Sequence, residues 1–136
     1  MQQKRFALHL RVPQWTRSFT ATVGKETLRG KPGKFLTIER EWKSGDTVAI
    51  DMDMTVVALP GGASYPDSVA IRRGPQVLAA EDSLNAQLLP VGRNITAVSR
   101  VTAPAGWTGS QVYTVDGVTL VPFADAVAMK VWLPAR

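Results

Sequence analysis

Residues 5–15 read RFALHLRVPQW, and the period of this stretch decides the fold. Phe6, Leu8, Leu10 and Val12 fall on alternate positions, with Arg5, Ala7, His9 and Arg11 between them. Strict alternation is the period of a half-buried β-strand, whose successive side chains point to opposite faces. Pro13 removes a ladder donor and ends the strand. The histidine and arginines that first suggest a site are then the outward side chains of that strand. Trp15, just beyond its end, becomes an aromatic anchor.

The same pattern recurs along the chain. Phe19–Val23 places Phe19, Ala21 and Val23 on one face, and Phe35–Glu39 follows the turn Lys31-Pro32-Gly33. After Lys43-Ser44-Gly45-Asp46, the segment Thr47–Met54 puts Val48, Ile50, Met52 and Met54 opposite Asp51 and Asp53. Residues 59–67, LPGGASYPD, read as a surface loop. Ser68–Arg72 and Gln76–Ala80 are expected as strands around Arg73-Gly74-Pro75, the second apolar on both faces as a central strand would be. Asp116-Gly117 between two apolar runs predicts a tight hairpin joining Gln111–Val115 to Val118–Pro122. Val127–Leu133 alternates again. Ser83–Leu89 can form one helical turn, and residues 84–110 carry the weakest pattern. No segment of ten residues has helical periodicity. The expectation is an all-β protein, a single domain over 1–136 built as a two-sheet antiparallel β-sandwich of jelly-roll type.

Composition narrows the chemistry. There is no cysteine and only one histidine, His9, so thiolate catalysis, disulfides, cysteine-bound zinc and a histidine-rich metal site are excluded within one chain. No catalytic residue, cofactor or metal is expected. No apolar run approaches the ~20 residues that cross a bilayer, and the N-terminus lacks an apolar signal core, so a soluble chain without membrane contact is expected. Residues 1–43 hold ten Lys/Arg against three Asp/Glu, and the remainder six against eight, for +5 overall. These cations alternate with apolar residues, a pattern of strand faces, so nucleic acid is not expected as a partner.

Five segments together carry a resemblance. FALHLRVPQW resembles the Leu-Arg-Ile-Pro-x-Trp segment of glycoside hydrolase family 127, the β-L-arabinofuranosidase-like proteins. FLTIEREWKSGDTVAIDMDM resembles that family's Ile-x-Arg-x-Trp and Gly-Asp segment, and VAIRRGPQVLAAED its Arg-Gly-Pro strand pair. LVPFADA and MKVWLP resemble its Leu-x-Pro-Tyr and Met-x-Val-Trp pieces. The resemblance implies a β-sandwich region that follows an (α/α)6 catalytic barrel. It also implies that the family's cysteine nucleophile, zinc and glutamate acid/base lie in that barrel, so none can be carried onto this chain. The chain is thus expected to be an excised or stand-alone accessory domain without the barrel. Its expected partner is the helical barrel of the same parent polypeptide.

Individual residues are weighed against that background. Trp15 and Trp42 are read as core or domain-docking anchors, because tryptophans at strand ends bury a large area while their N–H finds a carbonyl. Trp107 in PAGWTGS and Tyr65 in GGASYPD are the candidate carbohydrate contacts, for a second reading in which the chain is a free-standing carbohydrate-binding module. Asp51 and Asp53 read as solvent-facing strand residues, and Glu81-Asp82 as a solvated turn. Neither pair is expected to act as the two acids of a glycosidase.

Overall fold

A computed structural model describes residues 3–136. They group into two compact units, Met1–Met54 and Thr55–Arg136. All regular structure is β apart from two single-turn 3-10 helices, and every paired strand runs antiparallel to its neighbour.

The first unit contains β1 (Lys4–Arg11), β2 (Phe19–Val23), β3 (Glu26–Arg29), β4 (Phe35–Trp42) and β5 (Ala49–Met52). β1 and β4 form a two-stranded ribbon in full register, from Lys4 opposite Trp42 to Arg11 opposite Phe35. The other three make a sheet in the order β3-β2-β5. Both sheets feed one core of Val12, Phe19, Ala21, Val23, Ile38 and Trp42. Two residues of Phe19–Val23 alternate outward, Thr20 and Thr22, so the strand buries its apolar face and shows hydroxyls on the other. β3 was not anticipated: it carries a single apolar residue, Leu28, and follows β2 through Gly24-Lys25, with Gly24 at φ 59. Gly30 is required by close packing, since a Cβ there would lie 2.5 Å from Val12 Cγ2.

The second unit contains β6 (Val56–Gly61), β7 (Tyr65–Arg73), β8 (Gln76–Glu81), β9 (Ser99–Val101), β10 (Val112–Val115), β11 (Val118–Pro122), β12 (Met129–Lys130) and β13 (Leu133–Pro134). The sheet order is β13-β7-β8-β11-β10-β9, with β6 beside β7 and β12 beside β8. Its core is Val56, Val69, Ile71, Leu78, Ala80, Val91, Tyr113, Val118, Leu120 and Leu133. Fully burying a leucine or isoleucine such as Leu78, Leu120 or Ile71 contributes roughly 1.5–3 kcal/mol. Ala79 and Val121, which point away from that core, are buried as well, so β8 and β11 are covered on both faces. The Asp116-Gly117 turn closes β10 onto β11 with both residues at positive φ.

Two expectations need correction. Residues 59–67 are not a surface loop: β6 and β7 pair across them, and the register shifts at Pro60/Gly61. Proline is tolerated there because β6 pairs only with β7 and needs no second ladder. Val127–Leu133 is not one strand with a common buried face. The Val127 and Ala128 amides turn onto the Glu81 carboxylate, Val127 is 89% exposed, and only Met129–Lys130 and Leu133–Pro134 pair.

Candidate functional site

In the first unit the polar side of the β1–β4 ribbon is largely matched across the strands. Arg5 Nε meets Glu39 Oε1 at 3.4 Å, and His9 Nδ1 lies 2.9 Å from Thr37 Oγ1. Both pairs are exposed, so each holds the ribbon weakly. Trp42 sits on the inner side, 9% exposed, and donates from Nε1 to the Phe6 carbonyl at 3.1 Å. Its ring stacks on Phe6 at 5.5 Å, and the Arg40 guanidinium lies 5.3 Å from the ring centre. Trp15 is half-buried in the connection between β1 and β2. Beside it, Thr16 is buried and donates to the carbonyls of Ser18 and Asp53, which ties that connection to the end of β5.

The ends of these strands gather cations. Val12 N–H donates to the Lys34 carbonyl, Gly33 N–H to the Val12 carbonyl, and Gly30 N–H to the Phe19 carbonyl. These bonds bring together Arg11, Lys31 and Lys34, with Arg29 next to Gly30 and Arg17 two residues before Phe19. All five are exposed.

In the second unit Tyr65 stacks on Trp132 with centroids 4.9 Å apart and an interplanar angle of 16°, while Tyr65 stays 48% exposed. Trp132 had not been singled out in the sequence; the pairing of β13 with β7 brings it there. Trp107 is only half-exposed. Its indole N–H is buried without a partner, and a Cβ at Gly109 would fall 2.6 Å from its ring. The loop carrying Trp107 is fixed by Asp125, which accepts from the Ser110 hydroxyl at 2.6 Å and the Ser110 N–H at 2.9 Å. Those two bonds, the hydroxyl first, hold the Asp125 carboxyl below its ordinary value of 3.8.

Glu81 is buried, which corrects its reading as a solvated turn residue. Its carboxylate accepts Val127 N–H at 2.7 Å and also takes Ala128 N–H and the Ser83 hydroxyl. Asn85, next along, donates to the carbonyls of Glu81 and Thr119 and accepts from Thr119 N–H. The two side chains replace strand partners for backbone groups that would otherwise be orphaned. Sequence reasoning missed them, because nothing local marks an acid as buried.

The second unit carries an open apolar groove of ≈ 460 Å³, lined by Pro75, Gln76, Val77, Pro122, Phe123, Ala124 and Val131. It contains no carboxylate and no imidazole. Among the described residues no three His, Cys, Asp or Glu side chains converge as a metal site. Among the described residues, no helix is long and apolar enough to cross a membrane.

No curated protein matches the chain. Three solved structures share its fold. One described as a glycoside hydrolase is 20% identical, with TM-score 0.71 over 97% of this chain. A GH127 beta-arabinofuranosidase is 23% identical, with TM-score 0.74 over 99%. A GH127 beta-L-arabinofuranosidase from Geobacillus stearothermophilus is 20% identical, with TM-score 0.68 over 98%. The chain spans only 28%, 28% and 27% of their respective lengths. Residues 1–54, which form the whole first unit, match the family model described as "Beta-L-arabinofuranosidase, GH127 middle domain".

Proposed function

We propose that this chain is a non-catalytic accessory β-region of a β-L-arabinofuranosidase-like glycoside hydrolase, in which it follows a helical catalytic barrel, packs against it and stabilises it. The observation that carries this reading is the coincidence of the matched middle-domain segment with one compact unit, in a chain about a quarter as long as its structural relatives. The two-sheet, jelly-roll-like sandwich belongs to the same reading. It is supported in the first unit by two sheets that share one core. The distribution of acids also supports it, since the groove has none and Glu81, Asp116 and Asp125 are occupied by backbone amides.

The test is direct. The chain alone should release no product from an aryl β-L-arabinofuranoside, whereas a polypeptide joining it to the catalytic barrel should be active and more heat-resistant than the barrel by itself. Turnover that follows this chain through purification and disappears on replacing one of its Asp or Glu residues would overturn the reading.

A second reading, carbohydrate binding by the chain itself, is favoured by the Tyr65–Trp132 pair. An exposed aromatic face suits the apolar C–H side of a sugar ring, and Tyr65 keeps one face open. In that reading Trp107 and Tyr65 are the proposed contacts. Tyr65→Ala should weaken retention on arabinan if the pair is the platform.

A further inference from the structure

The basic end of the first unit is not explained by packing. Arg11, Arg17, Arg29, Lys31 and Lys34 are exposed, and none forms an ion pair among the described residues. They come from three separate segments, and the fold assembles them. Arg11 pairs with Phe35, adjacent to Lys34; Lys34 N–H closes a turn on the Lys31 carbonyl; Arg29 precedes Gly30, whose N–H reaches Phe19. Like charges brought to one turn favour an anion among them. Asp53 lies beside Arg17, its N–H donating to the Ser18 carbonyl, so the cations with no acid placed next to them by a strand pairing or a backbone bond are Arg11, Lys31 and Lys34. Glu39 and Glu41 lie further along β4 and Glu26 at the far end of β3, opposite Val23. Asp51 is one strand removed from Arg29, both standing opposite Thr20.

Two aromatic residues accompany the cations. Phe35, opposite Arg11, is 68% exposed, and Trp15 is half-buried in the segment between Arg11 and Arg17. Cations beside open aromatic surface match a ligand that carries carboxylates on rings with apolar C–H faces. We propose that this corner binds a polyuronate, a polysaccharide whose sugar rings carry carboxylates. The inference rests on the reading of the chain as part of a glycan-processing protein, and goes beyond it by naming an acidic glycan and the surface that holds it. A nucleic acid offers anions too, but it asks for a stripe of cations along an extended groove. Here Arg11, Lys31 and Lys34 are gathered at one turn, while Arg5 and Arg40, further along the ribbon, are already paired with acids.

The experiment is affinity electrophoresis of the intact chain in gels containing polygalacturonate, its fully methyl-esterified form, neutral arabinan or duplex DNA. Retention by polygalacturonate is expected at low salt, with little on the methyl ester, which keeps the sugar and removes the charge. Lys31→Glu/Lys34→Glu alters only exposed side chains and should weaken retention about tenfold while leaving the circular dichroism spectrum unchanged. Arg11→Ser should act in the same direction. Equal retention by the ester, or no change in the variants, overturns the proposal. Retention by arabinan without polygalacturonate overturns it while leaving the glycan-processing reading in place. Retention by DNA as strong as by polygalacturonate overturns it in favour of a general polyanion surface. No retention in any gel also overturns it and leaves an acidic protein face as the partner.

Discussion

Replacing Trp42 separates a core anchor from a docking residue. The side chain is 9% exposed, stacks on Phe6 at 5.5 Å, and donates from Nε1 to the Phe6 carbonyl at 3.1 Å. Truncating a buried tryptophan to alanine typically costs about 3–5 kcal/mol. The lost hydrogen bond, which is part-buried, adds about 1 kcal/mol at most. An expectation of about 4 kcal/mol follows, against about 1–2 kcal/mol for Trp42→Phe, which keeps an aromatic partner for Phe6 and loses the N–H. A unit of 54 residues has a total stability of only about 3–8 kcal/mol. Trp42→Ala should therefore remove about half or more of the first unit's stability. Because the chain has two units, a single unfolding midpoint can mislead. Hydrogen exchange followed on peptides covering residues 4–42 reads the first unit by itself. Protection of β1 and β4 should fall steeply in Trp42→Ala and modestly in Trp42→Phe, with the β7–β8 peptides unchanged. If Trp42→Ala leaves protection within about 1 kcal/mol of the parent, the residue is not a core anchor, and the packing argument for the first unit fails.

Two further outcomes are expected. Asn85→Ala removes three hydrogen bonds and leaves the Thr119 and Glu81 backbone groups without a partner, so the second unit should lose about 2–3 kcal/mol in urea denaturation; a loss below about 0.5 kcal/mol would mean that water replaces the side chain. Asp125 has a folded pKa below its ordinary 3.8, so its contribution to stability is present above that value and is lost as pH falls through the folded pKa; Asp125→Asn should remove this acid-sensitive component, read as loss of protection of Ser110 N–H below pH 3.8.

The all-β, antiparallel character was legible because alternation is a strong signal where one face is buried. RFALHLRV, FTATV and the Asp-Gly hairpin all pair close to the boundaries their sequences suggest. What escaped did so for identifiable reasons. β3 shows no alternation, because it is an edge strand with one inward residue, Leu28. β6 contains the Pro60-Gly61 pair that ordinarily marks a loop, and only its edge position makes that pair compatible with a strand. Val127–Leu133 has the right period yet does not form one strand, because a distant carboxylate, Glu81, captures its first two amides. The aromatic candidates show the same limit. Composition marks Tyr65 as an exposed ring, but its stacking partner, Trp132, is joined to it only through the β13–β7 pairing.

The stretch at residues 5–15 owes its polar residues to two different causes, and the distinction bears on function. Arg5 and His9 face partners on β4, so their presence follows from cross-strand pairing. Arg11 faces Phe35, an apolar ring, and no ion pair among the described residues holds its charge. If pairing alone shaped this strand, an acid would be expected opposite Arg11, as Glu39 stands near Arg5. An aromatic residue is found there, with Lys34 beside it. Strand packing therefore accounts for the first two polar residues of the stretch and not for the third. Its charge is the one with reason to meet a ligand from outside.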